Sequence, residues 1–136
     1  RFLQTGKMPG KDFVLLGARN REELSIFADE FSELGYTVQT ATDDGSMGHH
    51  GFVTELLDPI LPELKRIYTC GPVAMMKICA DKACVAEVGC QVSLETHMAC
   101  GLGACLGCAV TGAAGGYLHV CRQGPVFDAG EVAWTR

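Results

Sequence analysis

Aromatic side chains make up only 7% of the 136 residues, with a single tryptophan among them. The core must therefore be built mainly from aliphatic side chains, cysteine and methionine. No apolar run approaches the roughly 18 residues that a membrane-spanning helix needs, so no membrane span is expected. Basic residues are scarce as well: 11 Lys and Arg stand against 16 Asp and Glu, a formal charge of −5, and they do not cluster. A phosphate backbone would meet no matching electrostatic face, which argues against a DNA or RNA partner. No apolar signal-like segment opens the sequence, so a cytoplasmic location with reduced thiols is expected. No serine, histidine and acid set has the context of a nucleophile elbow, and hydrolase chemistry is unsupported.

The chain is rich instead in glycine, with 17, and cysteine, with eight. Four of the cysteines, Cys100, Cys105, Cys108 and Cys121, follow a Cys-x4-Cys-x2-Cys-x12-Cys spacing, the first three within the run ACGLGACLGC. This is the pattern of a 2Fe-2S centre: two irons need four thiolates, three from one tight loop and the fourth from a returning segment. Gly101, Gly103 and Gly107 would let the loop turn tightly and aim backbone N–H groups at sulfur. Structural zinc also takes four thiolates, but its usual frame is two short Cys-x2-4-Cys knuckles, and here the distal half is one cysteine. Zinc, and cysteines unligated or in disulfides, remain the alternatives.

The first 90 residues alternate between strand and helix patterns. Residues 13–16 form a continuous apolar run, as in a parallel strand covered on both faces, and Gly17 ends it. Asn20 is placed to cap a helix over 21–34, in which Leu24, Phe27, Ala28, Phe31 and Leu34 recur at helical spacing before Gly35 stops it. Residues 36–41 read as a second strand, 52–57 as a short apolar helix and 66–70 as a third strand. Gly71 and Pro72 then open a helix over 73–86. Before residue 13 there is neither a strand nor a glycine-rich phosphate turn, so the sequence reads as entering a nucleotide-binding domain partway. After Gly89 the pattern changes to short extended pieces at 91–95, 109–111, 117–121 and 126–127 around the cysteine loop. The expected fold is α/β: a truncated parallel-sheet nucleotide-binding domain over 1–90, then a small cluster-binding module over 91–136. So short a module needs its metal as a staple, and loss of iron should unfold it.

Other residues carry both a functional and a plain reading. Cys70, Gly71 and Pro72 lie where a strand meets its helix, the carboxyl edge at which open α/β sheets bind ligands, or they form an ordinary turn. Asp43, Asp44, Gly45 and Ser46 follow the second strand; their carboxylates suit ribose hydroxyls and would repel a 2′-phosphate, favouring NADH over NADPH, yet DDGS is also a good solvent turn. His49 and His50 are read as surface-loop residues. Cys79, Cys84 and Cys90 are assigned to core packing, as are Met75 and Met76, with Met75 also placed to wall a nucleotide cleft. His97 and His119 are supporting or surface groups, since four cysteines already suffice for the cluster.

The stretches LLGARN, DDGSMGHHGFVTELL, CGPVAMM, QVSLETHMACGLGACLGCAV and CRQGPVFDAGEVAW together resemble the electron-transfer subunits of heterotetrameric NAD-dependent dihydroorotate dehydrogenases, type B, within the ferredoxin reductase-like flavoproteins. The last two stretches are the specific ones, and at Gln123 the family more often has a charged residue. The resemblance implies that the four cysteines ligate the cluster. It also implies that Gly17, Ala18, Arg19, Asp43 to Ser46, and Cys70 to Met75 line an NAD cleft. The family's preceding β-barrel carries the FAD-binding motifs; they are not found here, so firm FAD binding is not expected of this chain alone. The implied role is in pyrimidine biosynthesis: dihydroorotate is oxidised at the FMN of a catalytic partner subunit, and electrons pass singly through the 2Fe-2S cluster to FAD, which reduces NAD+. A subunit of another NAD(P)H-ferredoxin or sulfide oxidoreductase, and a zinc-stabilised assembly module, are the competing functions.

Overall fold

The computed structural model describes residues 12–134. The expectation that a nucleotide-binding turn is missing before residue 13 falls mostly on residues outside these. The architecture is mixed α/β with parallel strand pairs and a small, loop-rich cysteine region. It divides into two compact units, residues 1–60 and 61–136. This differs from the division at residue 90 expected from the sequence. That point falls inside a strand hydrogen-bonded to partners on both sides, so the small module shares its sheet with the helix-bearing segment before it.

In the first unit, β1 (Phe13–Ala18) pairs in parallel with β2 (Thr37–Thr42), and α1 (Arg21–Glu33) makes the crossover. The helix starts where Asn20 accepts a hydrogen bond from the Glu23 N–H at 3.2 Å. It ends in a Schellman motif: Gly35 N–H donates to Ser32 O at 2.8 Å and Tyr36 N–H to Phe31 O at 3.2 Å. The accompanying hydrophobic contact is an edge-on Phe31–Tyr36 pair, centroids 6.0 Å apart. Leu24 and Ala28 point inward from α1, as their spacing predicts, and Ala41, Leu57 and Ile60 are buried too. The side chain of Phe27, part of the same expected stripe, lies outside what is described. β3 (His49–His50) adds a third, two-residue strand in parallel to β2.

Two expectations are corrected in this unit. Residues 52–57 do not make an α-helix; only a 3-10 turn over Val53–Glu55 forms, because Gly51 and Pro59 leave too few residues for repeated i to i−4 bonds. His49 and His50 are strand residues, exposed, and His49 Nε2 meets Glu55 Oε2 at 2.6 Å.

In the second unit, β4 (Arg66–Cys70) pairs in parallel with β5 (Gly89–Ser93) through the crossover α2 (Val73–Val85). β8 (Val126–Asp128) adds on antiparallel to β5. The burial alternates strictly: Ile67, Cys90, Val92 and Phe127 are buried, while their neighbours are more exposed. α2 contributes Met76, Cys79, Ala80 and Ala83 to the buried set, and it packs on β4 and β5. Burying Met76 and Val92 almost completely is worth about 2 kcal/mol each. Cys84, expected in the core with Cys79 and Cys90, is exposed: five residues from Cys79, it has turned to the opposite side of the helix.

The remainder of this unit is a hairpin of β6 (Ala109–Thr111) and β7 (Tyr117–His119), followed by the single-turn α3 (Val120–Gln123). The strand expected through residue 121 therefore stops at His119, where Gln123 Oε1 accepts the His119 N–H at 2.6 Å and the chain coils into a turn. Val120 and Cys108 are nearly inaccessible, and Gly112 bridges Val132 beneath the hairpin. No helix among the described residues is long and apolar enough to cross a membrane.

Candidate metal centre and nucleotide edge

The four cysteines are brought into two linked pairs. Cys100 Sγ accepts N–H groups from Leu102 and Cys105, both at 3.4 Å, so the loop folds its own backbone donors around the first sulfur. This is possible because Gly101 and Gly103 take φ of 69° and 74°, which invert the chain twice within three residues. These donors, with Ala104 N–H and the Cys105 side chain, stabilise the thiolate and lower the Cys100 pKa from 9.0 to about 6.

Cys108 and Cys121 are held by the hairpin. Val120 N–H donates to Cys108 O at 3.2 Å, closing the end of the β6–β7 ladder, and the next residue delivers the fourth sulfur. The Cys121 backbone and side chain both hydrogen-bond to Cys108, whose pKa falls as a result. Cys121 is shifted up, first by its bond to Cys108. Gly103 N–H reaches Cys121, and Cys100 repels the charged forms of both Cys108 and Cys121, so the two pairs face one site.

Among the described residues, no three His, Cys, Asp or Glu side chains form a group suited to one metal ion. What is present is two-plus-two: Cys100 with Cys105, and Cys108 with Cys121. A two-iron cluster divides its thiolates in that way, two to each iron, whereas tetrahedral zinc would draw four sulfurs to one point. The donor chemistry fits as well, because backbone N–H groups aimed at sulfur hold negative charge without adding a positive side chain. His97 and His119 are not needed as ligands.

The residues expected at a nucleotide edge fall in two sets. Gly17 and Ala18 end β1 and Arg19 follows; Asp43, Asp44, Gly45 and Ser46 follow β2. The parallel register aligns Ala18 with Thr42, and Asp43 and Asp44 donate their N–H groups to Ala18 O and Arg19 O at 3.1 and 3.2 Å. Ser46 joins the two loops: its Oγ accepts Arg21 N–H at 2.8 Å and donates to Asp44 Oδ1 at 2.6 Å. These bonds to Ser46 hold the Asp44 carboxyl below its ordinary range. Beneath them, the buried Thr42 hydroxyl donates to Met47 O and accepts Met47 N–H, which pins the turn. Gly17 is needed for close approach, since a Cβ there would lie 2.7 Å from Val53 Cβ.

The second set belongs to the unit of residues 61–136. Cys70 ends β4, Gly71 and Pro72 lead into α2, and Met75 lies in its first turn with its methyl against Gly71. A shallow recess of roughly 170 Å³ opens beside them, lined by Tyr68, Thr69, Cys70, Gln91, Ser93 and Val126. Ligand pockets measure about 300–1,000 Å³, so this recess alone is too small for a whole dinucleotide. Sequence reasoning missed Glu23, which anchors Arg19 at this edge; the signal was the four-residue spacing of opposite charges across the helix start.

Comparison with known proteins identifies the cysteine region. Residues 95–133 match the iron-sulfur cluster binding domain of dihydroorotate dehydrogenase B. The electron transfer subunit of dihydroorotate dehydrogenase B (NAD(+)) from Caldanaerobacter subterraneus subsp. tengcongensis is 42% identical over 125 residues, covering 90% of this chain and 49% of its own length. The subunit from Listeria monocytogenes is 46% identical over 110 residues, with 79% and 42% covered. The probable counterpart from Thermoplasma acidophilum is 44% identical over 116, with 85% and 43% covered. Among solved structures, the NADH-dependent reduced ferredoxin-NADP oxidoreductase superposes with a TM-score of 0.76 at 36% identity, covering 90% of this chain and 44% of that one. This chain thus spans less than half the length of each. The cysteine region is thus similar to the iron-sulfur cluster binding domain of dihydroorotate dehydrogenase B, on a chain that resembles that enzyme's electron transfer subunits along most of its length.

Proposed function

We propose that this chain carries the one-electron relay and part of the nicotinamide-nucleotide cleft of an NAD-dependent dihydroorotate dehydrogenase of the two-subunit type. The observation that carries this reading is the pairing of Cys100 with Cys105 and Cys108 with Cys121 inside the matched stretch. A 2Fe-2S cluster held there supplies exchange of one electron at a time. The chain's own contribution is positional. The backbone donors of Leu102, Ala104 and Cys105 spread the charge on the first sulfur, and the β6–β7 hairpin fixes the other two sulfurs at its base. Holding the sulfurs in place before and after electron transfer keeps the reorganisation small.

The names of the relatives support a catalytic partner subunit that oxidises dihydroorotate. The resemblance extends this to an FMN-containing partner in a heterotetramer and to FAD in the intact subunit. For the nucleotide, Gly17 to Arg19 with Asp43 to Ser46 offer one set of contacts within the first unit, and Cys70 to Met75 offer another within the second. Asp43 and Asp44 suit a ribose diol. A second reading, a subunit of another NAD(P)H-ferredoxin oxidoreductase, is supported by the solved oxidoreductase at 36% identity.

The test is iron and acid-labile sulfide content with a visible spectrum, on protein purified without air. About two irons and two sulfides per chain, with red-brown charge-transfer absorption, are expected. One zinc and no colour would overturn the reading. Co-purification with an FMN-containing, dihydroorotate-oxidising protein separates the first reading from the second.

A further inference from the structure

We infer that Glu23 sets nucleotide specificity at the β1–β2 edge, by occupying the Arg19 guanidinium that would otherwise receive a 2′-phosphate. The inference rests on the proposed nucleotide cleft and names a residue that the cleft reading does not include. At the carboxyl ends of β1 and β2, Arg19 is the cation of a loop pair that is otherwise acidic. An arginine there is the usual means of accepting a 2′-phosphate, and a carboxylate the usual means of accepting the ribose diol. Both are present, so what decides is the state of the arginine.

That state is fixed by Glu23 on the first turn of α1. Arg19 Nε donates to Glu23 Oε1 at 2.9 Å, Nη2 donates to the same oxygen, and Arg19 N–H donates to Oε2 at 3.2 Å. Both carboxylate oxygens are thereby spent on one residue. Glu23 is itself held in place, because its N–H is bound by the Asn20 cap. The pair is mutually reinforcing: the bond to Arg19 lowers the Glu23 pKa, and the bond to Glu23 raises that of Arg19. Asp43 faces the same guanidinium, Asp44 is fixed beside it by Ser46, and Glu22 adds a further carboxylate to the helix start. Counted over Arg19, Arg21, Glu22, Glu23, Asp43 and Asp44, two positive charges meet four negative ones. A doubly charged phosphate is disfavoured, and a neutral diol is not.

The Arg19 and Glu23 side chains are 81% and 38% exposed, so the tie is an ordinary surface pair that one substitution can release. Glu23→Gln keeps the side-chain shape and the backbone N–H that Asn20 caps. In fluorescence titrations of the cluster-loaded chain with NADH and NADPH, wild type is expected to prefer NADH. Glu23→Gln is expected to raise the NADPH-to-NADH affinity ratio about 5- to 10-fold at low salt, less at high salt. Glu22→Gln removes the same charge one residue away and is expected to change the ratio by less than about twofold. In an Arg19→Ala background the Glu23→Gln gain should vanish. An unchanged ratio in Glu23→Gln, an equal gain in Glu22→Gln, or a gain that survives Arg19→Ala would each overturn the assignment while leaving the cleft reading intact. If wild type binds neither nucleotide, the cleft reading fails and the inference falls with it.

Discussion

The helix ends show how much a single position can hold. α1 closes on Gly35, but α2 closes with the same Schellman bonds around Glu87, at φ 56°, with Val88 N–H on Ala83 O at 2.9 Å and Glu87 N–H on Cys84 O at 3.2 Å. A side chain in that conformation costs about 1–2 kcal/mol relative to glycine. Glu87→Gly is therefore expected to raise the urea midpoint by the equivalent of about 1 kcal/mol, and an unchanged or lower midpoint would refute this. Among the cysteines the expectation is reversed. Cys105→Ser removes one sulfur of the first pair, and iron content should fall to well under half of wild type with bleaching of the visible bands, whereas Cys84→Ser, on the exposed side of α2, should leave both unchanged.

At the scale of elements, capping and periodicity made both long helices legible: Asn20 and Gly35 bracket α1, and Gly71 and Pro72 precede α2. β4 was legible for the same reason, a compact apolar and β-branched run between a charged segment and glycine. β5 was not. It begins at Gly89, which reads as a stop signal, and its pairing with the distant β8 is a non-local contact with no local trace. The cysteine spacing was legible because ligand chemistry fixes it, but the turn of helix at Val120–Gln123 was hidden in a sequence that reads as strand.

The β5 register has a chemical consequence at Cys90, which it turns inward beside Cys79, as core packing requires. Burial raises its pKa to about 11, and it shifts Cys79 in the same direction. The folded thiol thus keeps its proton where the unfolded thiol, near 9, loses it. Its contribution to stability is complete below about pH 9 and is lost as pH rises through about 11. Urea midpoints at about pH 8 and about pH 10.5 should therefore diverge more for wild type than for Cys90→Ala; equal divergence would show that Cys90 plays no part.

For the whole molecule, the division into residues 1–60 and 61–136 predicts that stability is not uniform. Removing iron with a chelator should strip hydrogen-exchange protection from the amides around the β6–β7 hairpin and the cysteine loop, where backbone order depends on the sulfurs. The β1–β2 amides, held by six paired residues and by α1, should stay protected. Loss of protection in both units at once would mean that they unfold as one.

The hairpin also bears on how such chains can vary over evolution. The gap of four residues is rigid, because Gly101 and Gly103 turn the chain and Leu102 and Ala104 donate to sulfur, and the gap of two is held in a turn in which Leu106 O accepts Ala109 N–H at 3.2 Å. The gap of twelve is the contour length of a hairpin that holds the two sulfurs at its open end and turns at its far end, through residues 112–116. In the loop, a side chain added at Gly115 or Gly116 would meet nothing within 4 Å, while the Gly112–Ala113 side of it is tied by Gly112 to Val132 and by Ala113 N–H to Glu131 O at 2.8 Å. Residues inserted between those two glycines would lengthen the tip and leave Cys108 and Cys121 where they are, so the last number in the cysteine formula is free to drift while the first two are not.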